Sequence, residues 1–261
     1  MSDPAAAPSP WRLDGRRALV TGASLGIGAA TASALAERGA TVLLVARGAA
    51  ALDAQVAAIR AAGGVAEGLA ADVATPEGRA AVLARVRAAG ALDILVNNVG
   101  INLRRPTLEA TPEDWDTLLR TNVTSAWELA RGCHPLLAAS PGASVVNIGS
   151  VAAFRSVRTS TAIYAMSKGA LEGMTRFFAT EWGPAGIRVN SVAPWYVRTP
   201  LAAAVLDDPA KAAAILARTP LGRLGTPEDI AHAVVFLALP ASSWITGINL
   251  PVDGGFLALG S

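Results

Sequence analysis

Short apolar segments alternate with longer alanine-rich segments along almost the whole chain of 261 residues. The short segments predict strands and the long segments predict helices, because strands typically span about 4–8 residues and helices about 10 or more. The predicted strands are residues 18–21, 41–46, 66–71, 94–97, 144–148, 188–192 and 248–252. The predicted helices are residues 27–38, 49–62, 76–89, 112–137, 162–182 and 227–237.

The predicted strands are short and mostly apolar, which is typical of a sheet buried on both faces by helices. No linker, composition change or internal repeat divides the chain. We therefore expect an α/β fold with a single Rossmann-type doubly wound parallel sheet of about seven strands. The domain is predicted to span residues 13–261, and residues 1–12 are predicted to form a disordered lead-in and not a signal peptide.

Composition excludes several classes of function. Cys133 is the only cysteine and His134 and His232 are the only histidines, so neither an internal disulfide nor a zinc cluster is expected. No apolar run approaches the roughly 18–20 residues that a membrane span requires. The net charge of +2 comes without a basic run, which argues against nucleic acid as a partner. We expect a cytoplasmic protein without a metal.

A glycine-rich turn follows the first predicted strand and leads directly into a predicted helix. Gly22, Gly26 and Gly28 form the pattern G-x-x-x-G-x-G within LVTGASLGIG, residues 19–28. Such glycines let the backbone approach a pyrophosphate, and the N-terminus of the helix attracts its negative charge. A strand-to-helix turn without a ligand is the alternative. The dinucleotide contacts expected here come from Gly22, Ser24, Leu25, Gly26, Ile27 and Gly28.

Arg47 follows the second predicted strand, which ends without an acidic residue. In dinucleotide-binding folds an acidic residue at this point binds the ribose 2′-hydroxyl of NAD, whereas an arginine accommodates the 2′-phosphate of NADP. A guanidinium suits a phosphate because it can donate two parallel hydrogen bonds. The sequence therefore favours NADP(H), with NAD(H) as the alternative if Arg47 only ends the strand in solvent.

The chain has only two tyrosines and two lysines, and one of each lies in a five-residue stretch, at Tyr164 and Lys168. Residues four apart share one face of a helix. A nearby positive charge lowers the pKa of an acid by about 1–3 units. We therefore expect Lys168 to lower the pKa of the Tyr164 phenol until the phenol can act as an acid or base. A half-exposed tyrosine and a surface lysine are the alternative.

These motifs, with others in the same order, resemble the short-chain dehydrogenase/reductase family over residues 13–256. The Tyr164–Lys168 pair is similar to the Y-x-x-x-K of that family, and Thr21 to Gly28 is similar to its T-G-x-x-x-G-x-G. The other matching segments are Asp72-Val73, Asn97-Asn98-Val99-Gly100, residues 194–200, Thr246-Gly247 and Asp253-Gly254-Gly255. Val99 replaces an alanine of the family pattern, and Leu25 stands where many NADP-preferring members have a basic residue.

The resemblance implies carbonyl–alcohol chemistry with a nicotinamide cofactor. Tyr164 would protonate the carbonyl oxygen or deprotonate the alcohol, and Lys168 would lower its pKa and bind the nicotinamide ribose. Ser150 would donate a hydrogen bond to the substrate oxygen. Asn122 would hold a water that connects the lysine to solvent. Further cofactor contacts are implied at Asp72, Val73, Asn98, Gly100, Pro194, Val197 and Thr199.

Residues 190–201 most resemble the tropinone-reductase-like branch of the family. The substrate is expected to be a hydrophobic, possibly cyclic ketone, because the residues predicted to line its cavity are largely apolar. Trp195 stands where the family more often has glycine, and it would either line the pocket or pack beneath a lid around residues 196–220. The other predicted pocket residues are Tyr196, Leu103 and Phe154.

Two alternative functions remain at this point. Arg104, Arg105, Arg155 and Arg158 could form a basic patch for an acyl carrier, which would make the chain a 3-oxoacyl-(acyl-carrier-protein) reductase. A non-catalytic dinucleotide sensor is the other alternative, although both Tyr164 and Lys168 are present.

The predicted helix 162–182 is apolar or small on nearly every face, with Ala165, Gly169 and Gly173 at four-residue intervals. A helix that is apolar all round is usually buried. One face can therefore meet a second subunit, and we expect a homodimer or homotetramer, as the resemblance also implies.

Overall fold

The computed structural model describes residues 9–157 and 160–259, and it contains one parallel sheet of seven strands in the order β3-β2-β1-β4-β5-β6-β7. Every pair of neighbouring strands is parallel. The strands are β1 (Arg17–Thr21), β2 (Thr41–Ala46), β3 (Val65–Ala70), β4 (Ile94–Asn97), β5 (Ser144–Ile148), β6 (Arg188–Pro194) and β7 (Asn249–Val252). The predicted doubly wound fold is confirmed, and the predicted strands overlap the observed ones one for one.

Nine α-helices connect or flank these strands in the described part of the chain. They are α1 (Gly26–Glu37), α2 (Ala49–Ala61), α3 (Pro76–Ala89), α4 (Pro112–Leu119), α5 (Ser125–Ala138), α6 (Ala162–Trp182), α7 (Pro200–Leu206), α8 (Pro209–Leu216) and α9 (Pro227–Ala238). Helices α1, α2 and α9 cover one face of the sheet, and α3, α5 and α6 cover the other.

Alternating strand residues divide the core between these two faces. Val20 packs with Leu35 and Val234 on one face, whereas the neighbouring Leu19 packs with Phe178 on the other. Successive side chains of a strand point to opposite faces, so both must be apolar when helices cover both sides. Full burial of one such side chain stabilises the fold by about 1.5–3 kcal/mol.

Two helix starts show how the local sequence directs the fold. The hydroxyl of Thr111 accepts a hydrogen bond from Asp114 N, and Asp114 Oδ2 accepts one from Thr111 N. Thr226 and Asp229 form the same reciprocal pair at the start of α9. Both sites carry a proline in the first turn, as the sequence predicted.

The predicted single helix 112–137 is wrong in its middle. Helix α4 ends at Leu119, and a π-helical turn, Arg120–Thr124, separates it from α5. The residues of this turn are compatible with an ordinary helix, so the sequence pattern does not reveal it. π-Helical turns occur frequently at functional sites, and this one carries Asn122.

Residues 1–8 of the predicted lead-in lie outside the described residues. Residues 9–12, which the sequence also assigned to the lead-in, contact the folded domain, because Pro10 O accepts a hydrogen bond from Ala241 N at 3.0 Å. Arg158, one of the predicted basic residues, also lies outside the described residues. Among those that are described, no helix is both long and apolar enough to cross a membrane.

Candidate active site

A cavity of about 1200 Å³ lies at the carboxyl ends of the central strands. The strand order reverses between β1 and β4. In doubly wound sheets, ligands bind outside the carboxyl ends at such a switch point. The predicted dinucleotide contacts that line the cavity are Gly22, Ser24, Leu25, Gly26, Ile27, Arg47, Asp72, Val73, Asn98, Gly100, Pro194, Val197 and Thr199.

Gly28 does not line the cavity but shapes the turn beside it. A Cβ atom on Gly28 would lie 2.2 Å from Gly22 O, so no other residue fits between helix α1 and the turn. Gly22 and Gly26 have φ angles of 65° and 58°, which favour glycine. Thr199, just before α7, packs 3.2 Å from the position of a Cβ on Gly26. The glycine turn is therefore closely packed against the start of α1 and against Thr199.

Asn98 supports the glycine turn from the next strand. Its Nδ2 atom donates to Thr21 O at 2.9 Å and to Gly22 O at 3.2 Å, and its backbone N–H donates to the Thr21 hydroxyl. These bonds join the end of β4 to the end of β1. Asn98 thus holds the turn in place as well as lining the cavity, a role that its sequence position alone does not reveal.

Arg47 and Gly48 line the far end of the cavity, where β2 leads into α2. Arg47 is exposed, so its guanidinium is accessible to an anion there. Asp72 lies at the same end, and its Oδ1 atom accepts a hydrogen bond from Ala74 N at 2.9 Å. This arrangement can hold the adenosine half of a dinucleotide, with Arg47 beside the ribose.

Ser150, Tyr164 and Lys168 all line the same cavity. Ser150 follows β5, and Tyr164 lies in the first turn of α6, where the Thr161 hydroxyl accepts a hydrogen bond from Tyr164 N. Lys168 is one turn further along and only 3% exposed. Its Nζ atom donates to Ile148 O at 2.7 Å and lies 5.8 Å from the centre of the Tyr164 ring.

The direction of the Tyr164 pKa shift differs from the sequence prediction. Burial raises the pKa of the phenol, and a hydrogen bond from Ser150 and the positive charge of Arg104 only partly oppose the rise. The prediction that the pKa of Tyr164 is lowered beside Lys168 is therefore wrong: the net shift of this pKa is upward. Burial also lowers the pKa of Lys168 to about 8, although the negative charge of Glu172 acts to raise this pKa. Helical spacing places the two groups together but does not reveal how far each is removed from water.

Asn122 does not line the cavity, and its side chain joins three segments of the chain. Its Oδ1 atom accepts from Ile101 N at 2.8 Å, and its Nδ2 atom donates to Ile101 O and to Ser167 Oγ, both at 3.0 Å. A Cβ on Gly100 would lie 3.2 Å from Lys168 Nζ and 3.6 Å from Asn122 Oδ1. Asn122 and Lys168 therefore flank Gly100, and the π-helical turn brings the amide to this position.

Glu172 is a buried carboxyl group that was not among the residues predicted from the sequence. It is 3% exposed and accepts a hydrogen bond from Ser191 Oγ at 2.8 Å. A Cβ on Gly149, which immediately precedes Ser150, would lie 2.4 Å from Glu172 Oε1. Glu172 follows Lys168 by four residues, so the spacing that paired Tyr164 with Lys168 also pointed to it. Burial raises the pKa of Glu172.

The predicted substrate residues separate into two groups. Trp195 and Tyr196 line the cavity, whereas Leu103 and Phe154 do not and are 40% and 49% exposed. The prediction for Leu103 and Phe154 is therefore not supported by their position, since the direction of a loop side chain depends on packing. The residues that line this end are Ile101, Asn102, Arg104, Val151, Ala152, Val157, Leu201 and Ala202.

Trp195 lines the cavity and also packs against an apolar cluster whose core is Tyr196, Ala202, Val205, Ile215 and Leu224. Helices α7 and α8 supply Ala202, Val205 and Ile215 to this cluster, and they lie within the predicted lid around residues 196–220. The position of Trp195 is compatible with both interpretations that the sequence left open, a wall of the pocket and packing beneath a lid.

The predicted basic patch is not a free cluster of arginines. Arg105 forms an ion pair with Asp114 at 2.9 Å, and Arg155 donates to Leu259 O at 2.7 Å. Arg104 lines the cavity and donates to Leu201 O at 3.2 Å. Within residues 9–157 and 160–259, no group of three or more His, Cys, Asp and Glu side chains could hold a metal ion.

The fold and the site define a dinucleotide-binding oxidoreductase. The sheet is doubly wound and parallel, a glycine turn lies at its switch point, and a Ser–Tyr–Lys cluster lines the adjoining cavity. The family model described as enoyl-(acyl carrier protein) reductase matches residues 22–257. The chain belongs to the short-chain dehydrogenase/reductase family, which confirms the resemblance stated above.

Known relatives agree with this assignment. A tropinone reductase homolog of Arabidopsis thaliana is 43% identical over 252 residues, which cover 96% of this chain and 95% of the relative. The structure of a gluconate 5-dehydrogenase from Burkholderia cenocepacia, in complex with NADP and tartrate, has a TM-score of 0.91 and 36% identity, covering 98% of this chain and 100% of that chain. A short-chain type dehydrogenase/reductase from Mycobacterium marinum has a TM-score of 0.90 and 34% identity, covering 95% of this chain and 98% of that chain.

Proposed function

We propose that this protein is an NADP(H)-dependent oxidoreductase that reduces a ketone and, in reverse, oxidises a secondary alcohol. The observation that carries the proposal is the convergence of Ser150, Tyr164 and Lys168 in the cavity that the glycine turn also lines. A donor, a proton-transfer group and a buried cation around one point are what hydride transfer to a carbonyl requires.

The residues present fit a nicotinamide dinucleotide. Neither Gly22 nor Gly28 has room for a side chain, and the N-terminus of α1 lies beside the turn, as a pyrophosphate site requires. Asp72 and Val73 would hold the adenine, and Lys168 and Gly100 would lie beside the nicotinamide ribose. When bound, the nicotinamide supplies the hydride in reduction and accepts it in oxidation.

The protein residues move the proton and stabilise the charge that accompanies this hydride. Ser150 would donate a hydrogen bond to the carbonyl oxygen, and Tyr164 would give that oxygen its proton. The raised pKa of Tyr164 keeps the phenol protonated at neutral pH, which supports its role as the acid in reduction. Lys168 would stabilise the phenolate left behind, and Asn122 would hold the water through which the site regains its proton.

The preference for NADP over NAD rests on Arg47. It follows β2, lines the cavity and is exposed, and the strand offers no carboxylate at this point to bind a ribose 2′-hydroxyl. The structural relative from Burkholderia cenocepacia was solved with NADP, which supports the same cofactor here. The other predicted contacts, from Gly22 to Thr199, remain predictions of the same site.

The substrate is proposed to be a hydrophobic, possibly cyclic ketone. The cavity wall beyond Ser150 is mostly apolar, and a relative 43% identical is a tropinone reductase homolog. The alternative, a 3-oxoacyl-(acyl-carrier-protein) reductase, required a basic patch at the entrance. It loses support because Arg105 and Arg155 are bound to groups of this chain.

NADPH oxidation by a panel of substrates tests the proposal. The panel contains cyclic ketones, acyclic ketones, a keto acid and a 3-oxoacyl thioester of acyl carrier protein. We expect turnover with a cyclic ketone at a kcat/KM at least tenfold above that for the thioester. The reverse order would favour the acyl-carrier alternative. Tight NADPH binding without any turnover would favour a non-catalytic sensor.

The protein is also proposed to be a homodimer or homotetramer. On α6, Gly169 and Gly173 have no neighbouring atom within 4 Å of an added Cβ, and Phe177 on the same stripe is 76% exposed. Trp127 on α5 is 41% exposed. Such an apolar surface is typical of an interface. Sedimentation of the full chain should show an assembly that Phe177→Glu weakens, and a monomer at all concentrations would contradict the proposal.

A further inference from the structure

Trp195 is held by contacts with two segments that are distant in sequence. Its ring stacks on Phe256 with the ring centres 3.6 Å apart and the planes at 8°. Its indole Nε1–H donates a hydrogen bond to Thr219 Oγ1 at 3.1 Å. Tyr196 meets the indole edge-on, with the ring centres 4.7 Å apart. Aromatic stacking and a satisfied N–H both favour one fixed orientation of the indole.

The partners of Trp195 are themselves fixed. Phe256 is completely buried, and the guanidinium of Arg218 lies 4.9 Å from its ring centre. Thr219 is 5% exposed, and its hydroxyl donates to Ile215 O at 2.8 Å. Rotation of the indole would therefore break a stack and a hydrogen bond at once. Trp195 forms a rigid part of the cavity wall, although it adjoins the lid.

The position of this rigid wall matters for the substrate. Trp195 follows Pro194, the last residue of β6, and it lines the cavity together with Ser150 and Tyr164. The large indole side chain of Trp195 thus lies at the carboxyl end of β6, between β5 and β7 in the sheet. A rigid wall there limits the size of the groups that a ketone can carry.

We infer that Trp195, held by Phe256 and Thr219, is the residue that restricts this enzyme to compact ketones and excludes ketones with a bulky substituent. The inference rests on the proposed ketone reductase function and names the substrate class for it. Rigid walls discriminate by size because a large group can enter only if the stack and the hydrogen bond are broken. Small differences in size in an apolar pocket change kcat/KM by roughly 10- to 200-fold.

The test compares cyclohexanone with its 2-, 3- and 4-phenyl derivatives, with NADPH as the reductant. For the unmodified enzyme we expect kcat/KM to be highest for cyclohexanone. The measured ratio is kcat/KM for a phenyl derivative divided by kcat/KM for cyclohexanone. In Trp195→Gly, this ratio should rise roughly 10- to 100-fold for at least one ring position. Trp195→Phe, which keeps an aromatic ring for stacking, should give an intermediate ratio and serves if the glycine variant does not fold.

Thr219 supplies a matched pair of variants that leave Trp195 in place. Thr219→Val keeps the shape and removes the acceptor of the indole N–H, so the ratio should rise by about threefold to tenfold. Thr219→Ser keeps the hydroxyl, and its ratio should stay within about twofold of the unmodified enzyme. Ratios that stay the same in Trp195→Gly, Trp195→Phe and Thr219→Val would overturn the inference.

Calorimetric binding of the same ketones to the NADPH-loaded enzyme separates this inference from the proposed function. Binding with the expected size ratios but without NADPH oxidation would contradict ketone reduction and support the role of Trp195. Turnover with unchanged ratios would contradict the role of Trp195 alone. Absence of both binding and turnover would contradict both.

Discussion

The glycine-turn end of the cavity, from Gly22 to Gly28, is shaped by backbone, whereas the Trp195 end is shaped by large side chains. At the first end, a missing Cβ on Gly28 allows contact with Gly22 O, six residues earlier. At the second, Trp195 depends on Thr219 and on Phe256, which follow it by 24 and 61 residues. Local backbone constraints are visible in sequence, while walls made by distant side chains depend on the complete fold.

Tyr164 lies where the two ends meet, so its substitution separates binding from turnover most strongly. Tyr164→Phe removes the proton that the carbonyl oxygen needs and should lower kcat by roughly 10³-fold. The NADPH dissociation constant should change by less than about threefold, because the glycine turn and Arg47 are unaffected. Single-turnover kinetics with NADPH titration measures both, and a near-normal rate would refute the role of Tyr164.

Gly28→Ala tests whether the glycine-turn end depends on backbone contact. The added methyl group would lie 2.2 Å from Gly22 O, and overpacking of this kind costs about 1–3 kcal/mol. We expect NADPH affinity to fall by up to roughly 100-fold, together with a lower Tm. Gly183→Ala is the control, since its added Cβ meets no atom within 4 Å. Equal effects of the two substitutions would contradict the argument.

Arg47→Ala tests the outer part of the glycine-turn end, where the 2′-phosphate of NADP would bind. Loss of a guanidinium–phosphate contact should weaken NADPH by roughly tenfold or more. NADH has no 2′-phosphate, so its affinity should change by less than about threefold. Titration of both cofactors provides the measurement, and an equal loss for the two would remove the basis for NADP preference.

The smallest expected effect is a shift in the pH profile of ketone reduction when Glu172 is replaced. Below pH 8 Lys168 is mostly charged, and as pH rises through its pKa of about 8 the ammonium loses its proton. Reduction at saturating NADPH should therefore slow above about pH 8, while the raised pKa of Tyr164 places phenol ionisation at higher pH. Glu172 raises the pKa of Lys168, so Glu172→Gln should move the fall to lower pH by roughly 0.5–1 unit.

Glu181→Gln is the control for that experiment because Glu181 lies on the same helix and is exposed. Its pH profile should match that of the unmodified enzyme. A shift in both variants would point to a general change of surface charge, and a shift in neither would show that Glu172 does not act through Lys168.

Much of the fold could be predicted from the sequence, because strands and helices differ in the length and periodicity of their apolar segments. The seven strands and the starts at Thr111 and Thr226 illustrate this. The π-helical turn around Asn122 was not accessible, since its residues also suit an α-helix. Leu103 and Phe154 were assigned to the pocket from their apolar character, but they do not line the cavity.

Spacing over a few residues was enough to predict the α/β class, the place of the glycine turn and the pairing of Tyr164 with Lys168. The raised pKa of the phenol, the burial of Glu172 beside Gly149 and the stacking of Trp195 on Phe256 follow only from the folded chain. Desolvation and side-chain contact are properties of neighbours in space. Such neighbours come from segments whose distance along the chain carries no regular pattern.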